Sequence, residues 1–290
     1  KLNYDSDYGD KYKSSIYEKD IKFLKKNKDL FTFGNGAPFS IFTLLFIFLP
    51  ASMNLNTQKM IDLYFNTLCK AIEDREPEII INKYEKVIKK IDLLHKDIPQ
   101  KINIDIYDLN ENYRNQAFKT AEILKRNYNM FISRVWTKEK QKLIKVSNNL
   151  NSIFKNENII EKLEKETDKE YKFSDFRVSL CSSNKNGPDA NDLGYDKNLH
   201  YYKRDIKLLK HFIIHEVAVR ILMPVINKYQ KTYKEKDNYL IYEALESLAE
   251  FYTLKILKKT SKEDTPFNEF QLIDDFKKIY SENTNITPEN

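Results

Sequence analysis

The sequence predicts an α+β protein in which helix dominates. Three observations carry this. There are only five glycines and eight prolines in 290 residues, against abundant Lys, Glu, Leu and Ile, a balance that favours helix. Long stretches place apolar residues at helical spacing. One short stretch, Phe173–Leu180, alternates apolar and polar residues as a half-buried strand does. At 41% hydrophobic and 32% charged, the chain has enough apolar material for a sizeable core.

The elements follow in order. Residues 1–30 are polar and rich in Lys and Tyr, with helical periodicity in Ile16, Ile21 and Leu24. Phe31 to Gly36 reads as a turn. Ala37–Leu55 is very apolar, but its unbroken part, Ile41–Leu49, is about half the roughly 20 residues that a membrane span needs. Pro38 and Pro50 bracket it, so a buried core helix is expected; membrane contact through residues 37–55 is the alternative. Leu55–Ile72 reads as an amphipathic helix on Met60, Leu63, Tyr64, Leu68 and Ile72, closed by Glu76-Pro77. Ile79–Leu94 reads as another, and Ile98-Pro99 marks a boundary.

Ile102–Tyr107 reads as a short strand. Long helices follow near 110–134 and 137–167, with a break at Trp136. After the strand over Phe173–Leu180, Asn184–Asp189 is a loop. Tyr201–Met223 is strongly helical and is expected to end at Pro224. Asn238–Lys259 is a second strong helix, and the tail from Thr260 regains order over Phe270–Tyr280. The domain reading is an N-terminal helical region over 1–98, a region over 99–262 holding the strand and the site, and a tail over 263–290. One compact domain is the alternative.

The charge pattern excludes some classes of function. The net charge of +6 is small beside 49 basic and 43 acidic residues, and the two signs are interspersed. No basic block interleaved with aromatics appears, so no nucleic-acid partner is expected. Cys69 and Cys181 are far apart, which excludes a disulfide framework and a Cys/His zinc knuckle. The chain opens at Lys1, so a processed or trimmed start is expected, in an exported or a cytoplasmic protein.

Site chemistry concentrates in Lys210–Val219. His211 and His215 lie four apart inside an apolar run, and Glu216 follows. Residues four apart share a helix face, so two imidazoles at that spacing reach one metal, and an adjacent Glu can hold and deprotonate its bound water. In that frame His215 is the first ligand and Glu216 the general base. Val219, where the second His belongs, cannot bind a metal. His211 is the substitute, but Glu216 then lies about 6 Å too far along the axis, at a rise of about 1.5 Å per residue. Phe212 holds the usual base position.

The next helix offers Glu243, Glu246 and Glu250 on a common face. Glu246 as a ligand with Glu250 behind it fits the need of a ligating imidazole for an acceptor on its other N–H. The plain alternative is a hydrogen-bonded His pair and a solvated Glu face. His95 and His200 have no companions and are expected at the surface or between helices. Asp189, Asn191 and Asp192 lack the Glu that closes a calcium loop. No GxSxG, phosphate-binding glycine loop or Cys/His nucleophile pair is present.

The segment from about Phe173 to Lys259 resembles the zincin-like metallopeptidases, in the branch whose third ligand is Glu. More narrowly it is similar to an uncharacterised bacterial family whose helix reads roughly HEFxHxFxNPxxxKY. His215-Glu216, Pro224 and Lys228-Tyr229 match; Val219 replaces the second His and Met223 the Asn before Pro. The resemblance implies a zincin-like domain with a small sheet, an active-site helix and then a glutamate helix. It implies a zinc ligand role for Glu243, with Glu246 second, and an edge strand at Phe176, Val178 and Leu180 that pairs with an extended substrate.

The resulting expectation is a metallopeptidase-like protein with an incomplete zinc motif. It would bind zinc weakly or not at all and hold a peptide or protein segment in its former active-site cleft, without rapid cleavage. A working zinc endopeptidase on a shifted His211/His215 site is the alternative, and a helical interaction scaffold the second.

Overall fold

The computed structural model describes residues 15–31, 33–34, 37–38, 40–53, 55–93, 97–181, 190–230, 238–259, 265–267 and 272–282. The protein is predominantly helical with a small three-stranded sheet. Its chain divides into two compact units, Lys1–Lys145 with Ser179–Tyr201, and Val146–Val178 with Tyr202–Asn290. This division differs from the expected breaks after residues 98 and 262. The reason at residue 98 is direct: Ile98, Ile102 and Ile106 are buried in the core of the first unit.

In the first unit, α1 (Glu18–Lys26) buries Ile21 and Leu24, with Asp20 alongside them. Burial opposes the Asp20 carboxylate, but Arg126 and Asn127 outweigh it and hold its pKa below the usual value. Arg126 donates through Nε at 2.8 Å and also through Nη2, and Asn127 Nδ2 donates at 2.8 Å. The Tyr17 N–H closes the tie by donating to Asn127 Oδ1 at 3.1 Å.

Where the sequence predicts a turn over 31–36, the described residues form a minimal antiparallel pair, β1 (Phe33–Gly34) with β2 (Ala37–Pro38). The apolar run then forms α2 (Ile41–Thr43), a π turn (Leu44–Phe48) and α3 (Leu49–Ser52). Phe42, Leu44, Leu45, Phe46, Phe48 and Leu49 are all buried. Pro50 does not stop this run, because it sits in the first turn of α3. It has no N–H to give, and the carbonyl of Leu45, five residues back, accepts from the Tyr64 hydroxyl at 2.5 Å. No helix among the described residues is long and apolar enough to cross a membrane.

Helix α4 (Gln58–Asp74) starts where Thr57 caps the Met60 N–H at 3.2 Å. Residues 79–93 are not one helix: α5 (Glu78–Lys83) and α6 (Glu85–Asp92) break at Tyr84. The strand expected over Ile102–Tyr107 is helical, within α7 (Ile98–Asp108). Its buried isoleucines, Ile98, Ile102 and Ile106, recur every fourth residue, which is helix spacing, while Ile104 is exposed, and Pro99 suits a first turn. The expected break at Trp136 is a π turn, Ile132–Trp136, joining α8 (Glu111–Phe131) to α9 (Thr137–Phe154) without interruption. The helix expected to reach residue 167 stops at Phe154, and α10 (Ile159–Thr167) starts after Asn158, which is left-handed at φ 43°.

The sheet comprises β3 (Arg177–Cys181), β4 (Ala190–Gly194) and β5 (Lys197–Tyr201) in the order β3-β5-β4. β4 and β5 form an antiparallel hairpin with a bulge between Asp192 and Gly194. Its turn is fastened to α6: the Tyr195 N–H donates to the Lys90 carbonyl at 3.1 Å, and Lys90 Nζ meets the buried Asp196 at 2.6 Å. His200, expected at the surface or between helices, lies instead on β5 and is fully buried, because the inward face of that strand claims it. His95 and the Asn184–Asp189 loop lie outside the described residues.

The second unit is built on α10, α11 (Ile206–Gln230), α12 (Asn238–Ile256) and α13 (Ile273–Glu282). Pro224 does not end α11 as expected but sits inside it. Val225 and Ile226 beyond it are buried, and their packing sustains the helix past the lost hydrogen bond.

Candidate functional site: a buried histidine–glutamate cluster

Helix α11 begins at Asp205, whose Oδ1 accepts the N–H groups of Lys207 at 2.9 Å and Leu208 at 3.3 Å. From His211 to Leu222 every residue except Glu216 is buried. A helix hydrophobic on all sides belongs in a core, and polar side chains carried into it must find partners there. Ion pairs from Lys210 to Glu157 at 2.6 Å and from Lys255 to Glu166 at 2.5 Å fasten the flanks of this unit.

Helix α12 supplies the partners of both histidines. Ala249 is fully buried, and with no side chain beyond Cβ it lets a neighbouring helix approach closely. Glu246 and Glu250, one turn apart, face His215 and His211. His211 Nε2 donates to both oxygens of Glu250, at 2.8 and 3.0 Å. His215 uses both of its nitrogens: Nδ1 meets Glu250 Oε2 at 3.1 Å and Nε2 meets Glu246 Oε2 at 2.9 Å. The higher His pairs with the lower Glu, so the two helices run antiparallel.

Burial opposes charge on the His215 ring, but the hydrogen bonds and charges of Glu246 and Glu250 outweigh it and raise its pKa to about 10. Burial likewise opposes the Glu250 carboxylate, and bonds to His211 and His215 lower its pKa to about 2. His215 is therefore an imidazolium clasped between two carboxylates.

Of the residues singled out in the sequence, the structure brings His211, His215, Glu246 and Glu250 together. Glu216 is directed elsewhere: Arg220, fully buried one turn on, meets its carboxylate at 3.4 Å. Arg220 was missed as a partner, although its four-residue spacing from Glu216 is visible in the sequence. Glu243 is half-buried on α12, and the carboxylates bonded to the imidazoles are those of Glu246 and Glu250. Val219 is buried. Val178 and Leu180 are half-buried on β3, an outer strand of the sheet, and Phe176 immediately precedes it.

A further contact had no signal in the sequence. The ring of Phe267, in the segment between α12 and α13, lies against this cluster. Ring centroids are 4.7 Å from His215, 5.2 Å from Phe212 and 6.1 Å from His211.

Two imidazoles and two carboxylates are a chemically suitable donor set for zinc, but their arrangement does not fit one. A zinc-bound imidazole presents a lone pair to the metal, whereas both nitrogens of His215 already meet carboxylate oxygens. Among the described residues, no group of three or more His, Cys, Asp or Glu side chains is placed to hold a metal ion. In comparisons with known proteins, the chain matches no protein-family model, no curated protein and no solved structure.

Proposed function

We propose that this is a metallopeptidase-like protein of zincin-like descent that binds no stoichiometric zinc and does not cleave peptides. Its role is to bind a peptide or protein segment. The observation that carries the reading is the saturation of His215, whose two ring nitrogens meet Glu250 at 3.1 Å and Glu246 at 2.9 Å. A metal at this ring would have to displace the protons that His215 shares with Glu246 and Glu250, which weakens its binding.

Two further features support it. Glu216, the residue in the general-base position, is paired with Arg220, and that guanidinium competes with any proton the carboxylate would take. The position of the second ligand is held by buried Val219. As an outer strand, β3 has the geometry to receive an extended peptide by strand addition. The four-residue cluster then serves as a structural clasp between α11 and α12.

The test is metal content by mass spectrometry on untagged protein purified without chelators, then dialysed against micromolar zinc. The expected result is substoichiometric zinc in the parent, unchanged by His215→Ala, and no turnover in a peptide-cleavage screen. Near-stoichiometric zinc that His215→Ala removes would overturn the reading in favour of a zinc hydrolase on His211 and His215. Zinc binding and proteolysis gained only in Val219→His would fix the descent, since one restored ligand would have revived the site.

A further inference from the structure

The His/Glu cluster has a cover, and the cover belongs to the chain itself. His211 and His215 are each 2% exposed and Glu250 is fully buried, although they are polar groups on two helices of one small unit. Phe267 contributes to that enclosure, with its ring tilted 40° over His215 at 4.7 Å and edge-on to Phe212 at 5.2 Å.

The segment is held from both sides of that contact. The Phe267 N–H donates to Thr265 Oγ1 at 3.1 Å, which turns the chain locally. Phe267 also packs against Leu254 of α12 and Ile273 of α13, both buried. Beyond it α13 docks on α12: the Tyr280 ring lies tilted against Phe251 with centroids 4.7 Å apart, and its hydroxyl meets that of Tyr252. The order along the chain is thus glutamate helix, cover and anchoring helix.

We propose that Thr265–Phe267 is a built-in cover over the histidine–glutamate cluster of the second unit, with α13 as its anchor. It goes beyond the proposed function and does not rest on it: Phe267 covers the cluster whether or not the cluster descends from a zinc centre. A ligand approaching His215 from the Phe267 side must first displace that ring.

The test uses the full-length chain with 15N-labelled histidine and follows solvent exchange of the imidazole N–H protons of His211 and His215 by NMR. Phe267→Ala is expected to speed their exchange at least about tenfold, since exchange reports local opening. Phe267→Leu, which keeps an apolar cover, should fall between Phe267→Ala and the parent. Backbone amide exchange over residues 213–219 of α11, measured on the same samples, should stay within about twofold of the parent. Imidazole exchange unchanged in Phe267→Ala would overturn the proposal. So would an equal acceleration of the α11 amides in both variants, because the protection would then belong to the fold as a whole.

Discussion

At His215, an imidazole and two carboxylates meet in the interior, with only Glu246 partly exposed. The ring lies between Glu246 and Glu250, with its pKa raised to about 10, while that of Glu250 is lowered to about 2. A raised imidazole pKa stabilises the fold fully below the ordinary value of about 6.5 and loses that contribution as pH climbs toward 10. A lowered carboxyl pKa contributes fully above about 4.5 and loses its share as pH falls toward 2. Stability from this cluster is therefore greatest between about pH 4.5 and 6.5 and declines on both sides. Denaturant midpoints measured from pH 3 to 10 should trace that dome. His215→Ala leaves Glu250 buried with one partner fewer and should cost about 3–5 kcal/mol near neutral pH. It should also flatten the alkaline limb, and a limb unchanged in the variant would refute this account.

Between elements, buried ion pairs decide which helices stay together. Helix α1 is short, and its hold on α8 depends on Asp20, which is 1% exposed and takes bonds from Arg126 and Asn127. Arg126→Ala would leave that carboxylate buried with Asn127 alone, at a cost of about 3 kcal/mol. The loss should be local. Amide protection over Glu18–Lys26 should collapse while α4 keeps its own, as read by hydrogen exchange. The charge spacing at each helix was legible beforehand, but the pairing of residue 20 with residue 126 was not. A contact 106 positions apart leaves no mark on local periodicity.

The same distinction separates the elements read correctly from those misread. The long amphipathic helices were legible because their burial pattern repeats within one element. Ile102–Tyr107 was misread because β-branched residues favour strands, whereas its every-fourth-residue burial against the first core favours helix. Pro224 was taken as a stop because proline breaks isolated helices; tertiary packing of Val225 and Ile226 supplies what the backbone loses there.

For the molecule as a whole, the chain crosses between its two units after residues 145, 178 and 201. Neither unit is a contiguous segment. Ile98, Ile102 and Ile106 close the core that Ile72 and Ile88 begin, so a fragment of residues 1–98 lacks part of its own interior. Expressed alone it should show no cooperative thermal transition by circular dichroism. A sharp transition would mean that the N-terminal helices are self-sufficient after all.

By itself the sequence determined the helical class, one strand of the small sheet and which titratable groups share the helix faces, because composition and spacing act within single elements. His211, His215, Glu246 and Glu250 were all visible as titratable groups on helix faces. Only the tertiary structure decided what those groups do to one another. It set α11 against α12 in antiparallel order, gave both nitrogens of His215 to carboxylates, turned Glu216 toward Arg220 and laid Phe267 over the rings. Protonation and access depend on distances between elements inside a low-dielectric interior, and no spacing along a single helix encodes those distances.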